Sequence, residues 1–375
     1  MKISIFRTAA LENRIIGLDC LRILCMVMVI ILHILGQGGV LNEVSPGSAN
    51  YHVAWALECI CFCAVDCYAL LSGYLSVCKS HPLHSKLVLL WLEVVFYSAI
   101  YVCIFRIIAP EFTGKRELLN ALFPIMRRQY WYFTAFFALS FFAPIINAGI
   151  RDLNRRTATL MIVLIFAVFS VLPTLLCADP FQLKGGYSAL WVVVLYILGS
   201  LLNKGELQRR VAPSCCAIVF LLSTSITFLL RDILPVSIPG IGTISPLNYT
   251  SPTVLISAVS LLFLMSYLRV SSKMHRRILL RLSRASFGVY ILHTNPLVWT
   301  FWFYPGILNR VAKLTPWVFP FLVIVLSALV YLLCFAIDSL REFIFQKLRI
   351  RSRFTKIEKR ILLMLASEKD AVGRD

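Results

Sequence analysis

Three ionisable side chains, Asp19, Arg22 and His33, stand in the first apolar stretch of the chain, where burial in hydrocarbon is costly. The segment reads Arg14-Ile-Ile-Gly-Leu-Asp19-Cys-Leu-Arg22, then an apolar run, then His33. On a helix of 100° per residue, the step from Arg22 to His33 returns to within about 20° of the same direction, and Asp19 lies about 60° from Arg22. One stripe thus carries a carboxylate, a guanidinium and an imidazole, with the imidazole about 16 Å further along the axis. A neutral imidazole accepts and returns a proton with little charge imbalance, which suits His33 to general-base work. A guanidinium suits a phosphate or carboxylate. The plainer alternative makes Asp19 and Arg22 an i,i+3 pair near an interface, with Arg22 snorkelling and His33 hydrogen-bonded to a neighbouring helix.

Other apolar segments add Glu58, Asp66, Glu93, Arg106 and His293. Asp66 is a candidate orienting partner for His33, and it precedes Ser72-Gly73-Tyr74, a small-residue site where two helices can approach closely. Glu93 is expected to be buried as a neutral acid or paired with a cation. A second buried imidazole at His293 permits a catalytic pair, or a structural hydrogen bond to a carbonyl that Pro296 frees three residues on. No His, Cys or carboxylate pair has metal-ligand spacing, so no metal site is expected; His81 and His84 fall in a polar connection where binding would be adventitious. Phosphate-binding loops, dinucleotide fingerprints and nucleophile elbows are missing from the sequence, and the sequon at Asn248 is a common chance match.

These residues need a scaffold, and the composition says which. With 59% hydrophobic residues, only 15% charged and a mean hydropathy of +0.82, the chain lacks the charge to cover a soluble surface. The expected fold is all-α, a polytopic transmembrane bundle of about ten spans, near 15–35, 52–75, 87–108, 130–149, 158–176, 187–203, 213–230, 252–268, 283–303 and 317–340. The stretch from Lys115 to Met126 is amphipathic and is expected to lie along the interface. The first segment is charged and too long for a signal h-region, so no cleavable leader is expected. The twelve Cys lie mostly inside apolar runs, where a thiol acts as a small hydrophobe.

The net charge of +19 would suggest nucleic acid in a soluble protein. Here its position decides. Alternate connections (the N-terminus, 76–86, 150–157, 204–212, 269–284 and the tail from Arg341) hold 27 of the 37 basic residues, so the charge is topological, both termini are expected in the cytoplasm, and nucleic acid is not an expected partner. The cluster from Arg269 to Arg284 suits anionic lipid or a phosphorylated cytosolic substrate. The chain divides into a membrane domain, 1–346, and a basic cytoplasmic tail, 347–375.

The opening helix, with Arg14, Leu18-Asp19, Leu21-Arg22 and then His33, resembles that of the membrane acyltransferase-3 family, whose hallmark is an Arg or Lys and a His separated by ten residues. Further matches follow in the family's order: Ala69-Leu-Leu-Ser72-Gly73-Tyr74, Phe96-Tyr-Ser-Ala-Ile, Tyr130-Trp131-Tyr-Phe with Pro144, Asn248-Tyr-Thr-Ser-Pro252, and Leu282-Ser283-Arg-Ala-Ser286-Phe-Gly288-Val-Tyr290-Ile-Leu-His293. At the fourth span many relatives have a His where this chain has Gln129, so no role is carried to that position. The resemblance implies transfer of an acyl group, usually acetyl, from acyl-CoA as co-substrate to a hydroxyl of a surface polysaccharide or its lipid-linked precursor, in a bacterial inner membrane. On that basis the expected catalytic residues are His33 and His293, with Asp66 added from the residue reading above as an orienting partner, and the expected acyl-CoA residues are Arg14, Asp19 and Arg22. The rival expectation is a glycan or small-acid transporter that uses the same buried charges as a proton relay; the lack of an inverted repeat speaks against it.

Overall fold

The computed structural model describes residues 14–76, 84–233, 237–238, 242–243, 245–303, 307–358 and 360. Within hydrocarbon every backbone polar group must be satisfied by its own segment or a neighbour, which a helix does internally. All ten apolar segments are accordingly helical: α1 (Ile16–Leu35), α2 (Ala49–Cys61) running almost straight into α3 (Ala64–Ser76), α4 (His84–Ile108), α6 (Trp131–Arg151), α7 (Arg155–Phe166, continuing to Leu175), α8 (Ala189–Lys204), α9 (Pro213–Ile233), α10 (Pro252–Ser266), α11 (Lys273–His293) and α12 (Val318–Lys347). The interfacial stretch forms α5 (Lys115–Leu122). Its backbone entry is held by Glu117, whose carboxylate accepts from the Gly114 N–H at 2.8 Å. Leu118, Leu119 and Leu122 are exposed on it. A hairpin pairing Ser237 with Thr243 is the only sheet among the described residues.

Among the described residues, seven stretches are long and apolar enough to cross a membrane: α1, α2 with α3, α4, α6, α7, α9 and α12. α8 and α10 are apolar but shorter, at 16 and 15 residues. The outer helices show wide apolar faces, for example Leu221, Leu222 and Leu229 on α9 and Phe321, Leu329 and Leu333 on α12. Apolar patches of that extent belong against lipid. α1 differs from them. In its most apolar window 67% of residues are buried, against 11% for α7, because α2, α3, α10, α11 and α12 surround it. The helix with the most chemistry is thus the one most enclosed by protein.

A close helix crossing joins α3 to α8. A Cβ on Gly73 would stand 1.9 Å from the Tyr196 carbonyl oxygen, and one on Gly199 would stand 2.0 Å from that of Leu70. Only glycine allows the two backbones this close. The Ser200 hydroxyl donates across the crossing to the Gly73 carbonyl at 3.1 Å. The small-residue site expected at Ser72-Gly73 is such a crossing.

Two boundaries depart from the sequence-based expectation. The basic stretch 269–284, expected as a connection, is mostly helix. Ser272 caps α11 by accepting from the His275 N–H, and the arginines behind it alternate with Ile278, Leu280 and Leu282, a pattern that favours a helix emerging from an apolar layer. The ninth segment, expected to run to 303, breaks after His293. Pro296 has no N–H for the Leu292 carbonyl, which accepts from the Tyr101 hydroxyl at 2.9 Å instead. Asn295 then caps a new turn, accepting from the Leu297 N–H at 3.0 Å. His81, and with it the His81–His84 pair, lies outside the described residues. So does the tail beyond Arg360.

Candidate active site

α1 and α11 run parallel, and contacts at two levels fix their register. At one level the Ser283 hydroxyl donates to Asp19 Oδ1 at 2.9 Å. About three turns further along, His33 Nδ1 lies 3.0 Å from His293 Nε2. The stripe read from the first helix therefore faces a single neighbour.

Asp19 is 1% exposed and fully engaged. Arg14 grips it through both Nε and Nη2 at 2.6 Å, and Arg22 Nη1 adds a contact at 3.0 Å. Two guanidinium groups on one carboxylate leave one net positive charge. The Tyr68 hydroxyl donates to the Arg22 carbonyl at 2.6 Å, tying α3 to α1 at this level.

The imidazole pair has a definite proton arrangement. His293 Nδ1 lies 2.6 Å from the Val289 carbonyl, which can only accept, so Nδ1 carries the hydrogen. Neutral His293 then presents a lone pair at Nε2, and His33 must donate to it from Nδ1. Neutral His33 in that tautomer keeps its own lone pair at Nε2, which has no hydrogen-bond partner among the described residues. Trp299 packs edge-on against His33, with ring centroids 5.1 Å apart, and its indole N–H donates to the His293 carbonyl at 3.1 Å. The broken segment after α11 is what brings Trp299 there.

One cavity of about 580 Å³ joins the two levels. Such a volume is ordinary for a small-molecule site. Its first end is lined by Arg22, Ser72, Ser283, Arg284 and Ser286; its second end by His33, Gln37, Glu58, Trp131, Tyr187, Tyr249 and Trp299. Between them the wall is apolar and aromatic, with Met26, Val29, Phe133, Phe287 and Tyr290. A long substrate with a charged end and a reactive end fits this layout better than a compact one.

The sequence of this chain matches the acyltransferase-3 family model, described as an acyltransferase domain, over residues 15–338. The chain belongs to that family. No curated protein and no solved structure matches it. The match runs from the start of α1 to Asp338 in α12 and so takes in every element that lines the cavity. This acyltransferase is a multi-pass integral membrane protein, and its active chemistry must be sought among its helices.

Within the acyltransferase, the expected site residues separate into two groups. Arg22 and His33 line the cavity at its two ends, and His293 reaches His33 from α11 without lining it. Arg14 and Asp19 do not line the cavity; they hold Arg22 in place. Asp66 requires a correction. It was expected to orient His33, but its Oδ1 accepts from the Trp191 indole N–H at 3.1 Å and the His33 nitrogen to be oriented is occupied by His293. The reason is helical phase: Asp66 leaves α3 toward α8, not toward α1. Glu93 pairs with a cation, as one of its two expectations had it. Arg341 lies 3.4 Å from it and 2.9 Å from Asp338, whose Oδ1 also accepts from the Tyr97 hydroxyl at 2.7 Å. That cluster ties α4 to α12 and does not line the cavity. Gln129 accepts from the Ser98 hydroxyl at 3.3 Å.

Sequence reasoning missed Trp299, Tyr68 and the cavity role of Glu58. Tyr68 and Trp299 carry no signal in a single sequence, since aromatic residues are common at such depths. Glu58 did carry one, as an acid inside an apolar helix, but its direction could not be read without the neighbouring helices.

Proposed function

We propose that this acyltransferase moves an acyl group, acetyl in the first instance, from cytosolic acyl-CoA to a hydroxyl of a surface polysaccharide or its lipid-linked precursor, in a bacterial inner membrane with both termini in the cytoplasm. The observation that carries this reading is the His33–His293 pair, whose tautomer leaves His33 Nε2 with a free lone pair at one end of a cavity that has Arg22 at the other. Arg22 and Arg284 meet the phosphates of the donor. The pantetheine arm lies along the apolar wall beside α1, over a distance of about 16 Å, and delivers the thioester to His33.

An alcohol is a weak nucleophile, so the step needs a base. His33 Nε2 takes the hydroxyl proton as the acceptor oxygen bonds the thioester carbon. The C–S bond of the tetrahedral intermediate then breaks, and the imidazolium returns the proton to the departing thiolate. His293 holds His33 in the reactive tautomer throughout and so positions the base without touching substrate. The chemistry needs no bound cofactor besides the co-substrate. Membranes incubated with acetyl-CoA radiolabelled in the acetyl group test the reading. Label should appear on glycan, released by mild base; a transporter of the same architecture would leave glycan unlabelled.

The orientation has its own test. Ser271 is exposed in the short connection between α10 and α11. In intact cells, Ser271→Cys should add no labelling by a membrane-impermeant maleimide over the wild-type protein, and should add it once the inner membrane is permeabilised. Extra labelling of intact cells would invert the topology and move the donor to the wrong side.

A further inference from the structure

We propose that the recess beside His33 is a subsite for one pyranose ring of the acceptor, with Glu58 receiving its hydroxyls and a cluster of aromatic rings receiving its apolar face. The choice of a sugar for this recess rests on the acyl-transfer reading above; the recess itself is read from geometry.

Phe62 and Tyr249 stack with centroids 4.7 Å apart and planes 22° apart, and Trp131 lies nearly parallel to Tyr249 at 6.4 Å and 26°. Tyr187 closes the group at 5.0 Å from both Trp131 and Tyr249. All four rings and Glu58 line the same cavity as His33. Glu58 is close enough to Tyr187 and Tyr249 to interact with them electrostatically. Its Oε2 is buried and has no hydrogen-bond partner among the described residues.

Depth places this group beside the base. α1 and α3 run antiparallel, and the Tyr68 hydroxyl on the Arg22 carbonyl fixes their register. Moving along α1 from Arg22 to His33, and back an equal distance along α3 and α2, arrives at Leu57 and Glu58. His33 and Glu58 thus stand at one level of the cavity, away from Arg22.

The chemistry of the recess selects its occupant. A lipid chain would satisfy the rings but leave Oε2 buried and unpaired, at a cost of about 1–3 kcal/mol. A phosphate would face a carboxylate with no cation lining this end of the cavity. A pyranose has a ring face of C–H groups for the aromatic planes and an edge of hydroxyl donors for the acid, and one of those hydroxyls then stands at the level of the base.

The test uses the full chain, purified in a detergent without a sugar head group, and saturation-transfer NMR with methyl α-pyranosides of glucose, galactose, mannose, rhamnose and N-acetylglucosamine. At least one should receive saturation at its ring protons. Losing the hydroxyl contact should weaken it about tenfold in Glu58→Ala, with partial recovery in the isosteric Glu58→Gln. Circular dichroism and gel filtration of each variant verify the fold. No saturation of any pyranoside, or equal saturation in wild type, Glu58→Ala and Trp131→Ala, overturns the subsite. The label-transfer assay separates the two readings. Label on glycan together with a Glu58-independent signal sinks the subsite alone; a Glu58-dependent signal without label sinks acyl transfer alone.

Discussion

His33→Ala should lower acyl transfer by about 100- to 10,000-fold, the usual loss on removing a general base, with normal membrane insertion and near-normal affinity for acyl-CoA. Donor binding should survive because Arg22, proposed to meet the donor phosphates, lies about three helical turns away. His293 is expected to behave differently, and the hydrogen-bond chain says how. With His293→Ala, His33 loses the acceptor for its Nδ1 hydrogen and divides its time between tautomers and ring orientations, so transfer falls by less than with His33→Ala. His293→Gln offers an amide oxygen at the place of Nε2 and should recover part of the lost rate, which a merely structural histidine would not predict. Protein level, CoA binding and product formation need to be measured on the same membranes. If His33→Ala keeps most of its turnover while His293→Ala is folded and inactive, the two roles must be exchanged.

The division between what was legible in the sequence and what was not follows from how each feature is encoded. The helical bundle follows from composition and run length, since hydrocarbon permits few alternatives. The stripe of Arg22 and His33 follows from helical phase on one element, and both residues do line one cavity. What required the structure is every relation between elements. Asp19 shares the stripe, yet Arg14 reaches back from the preceding turn to grip it and keeps it out of the cavity. Asp66 has the type and depth of an orienting acid, but its direction depends on the α3–α8 crossing at Gly73 and Gly199, which no single-helix argument supplies. His293 needed the opposite revision. The sequence left it either a catalytic pair or a structural bond to the carbonyl freed by Pro296; its carbonyl partner is Val289, one turn before it, and that bond is what turns Nε2 toward His33.

The second large effect is expected at the donor end. Arg22→Ala should raise the KM for acyl-CoA by about 10- to 100-fold, the worth of one charge-assisted hydrogen bond, while leaving kcat at saturating donor close to wild type. The variant should fold, because Asp19 keeps both contacts from Arg14 and the one from Ser283 and so is not left as an unpaired buried charge. Arg22→Lys separates charge from geometry: it retains a cation but loses the planar fork, so its KM should fall between those of wild type and Arg22→Ala. Arg284, exposed at the cavity mouth, is a second cation whose replacement by Ala should have a smaller effect that weakens further as salt is raised. Competition by free CoA against radiolabelled acetyl-CoA on membranes measures all three. Unchanged affinity in both Arg22 variants would reduce Arg22 to a snorkelling partner of Asp19, and the donor would have to enter by another route. An Arg22→Ala variant that lost kcat but not KM would instead move this guanidinium to the reacting centre, which its separation from His33 along α1 argues against.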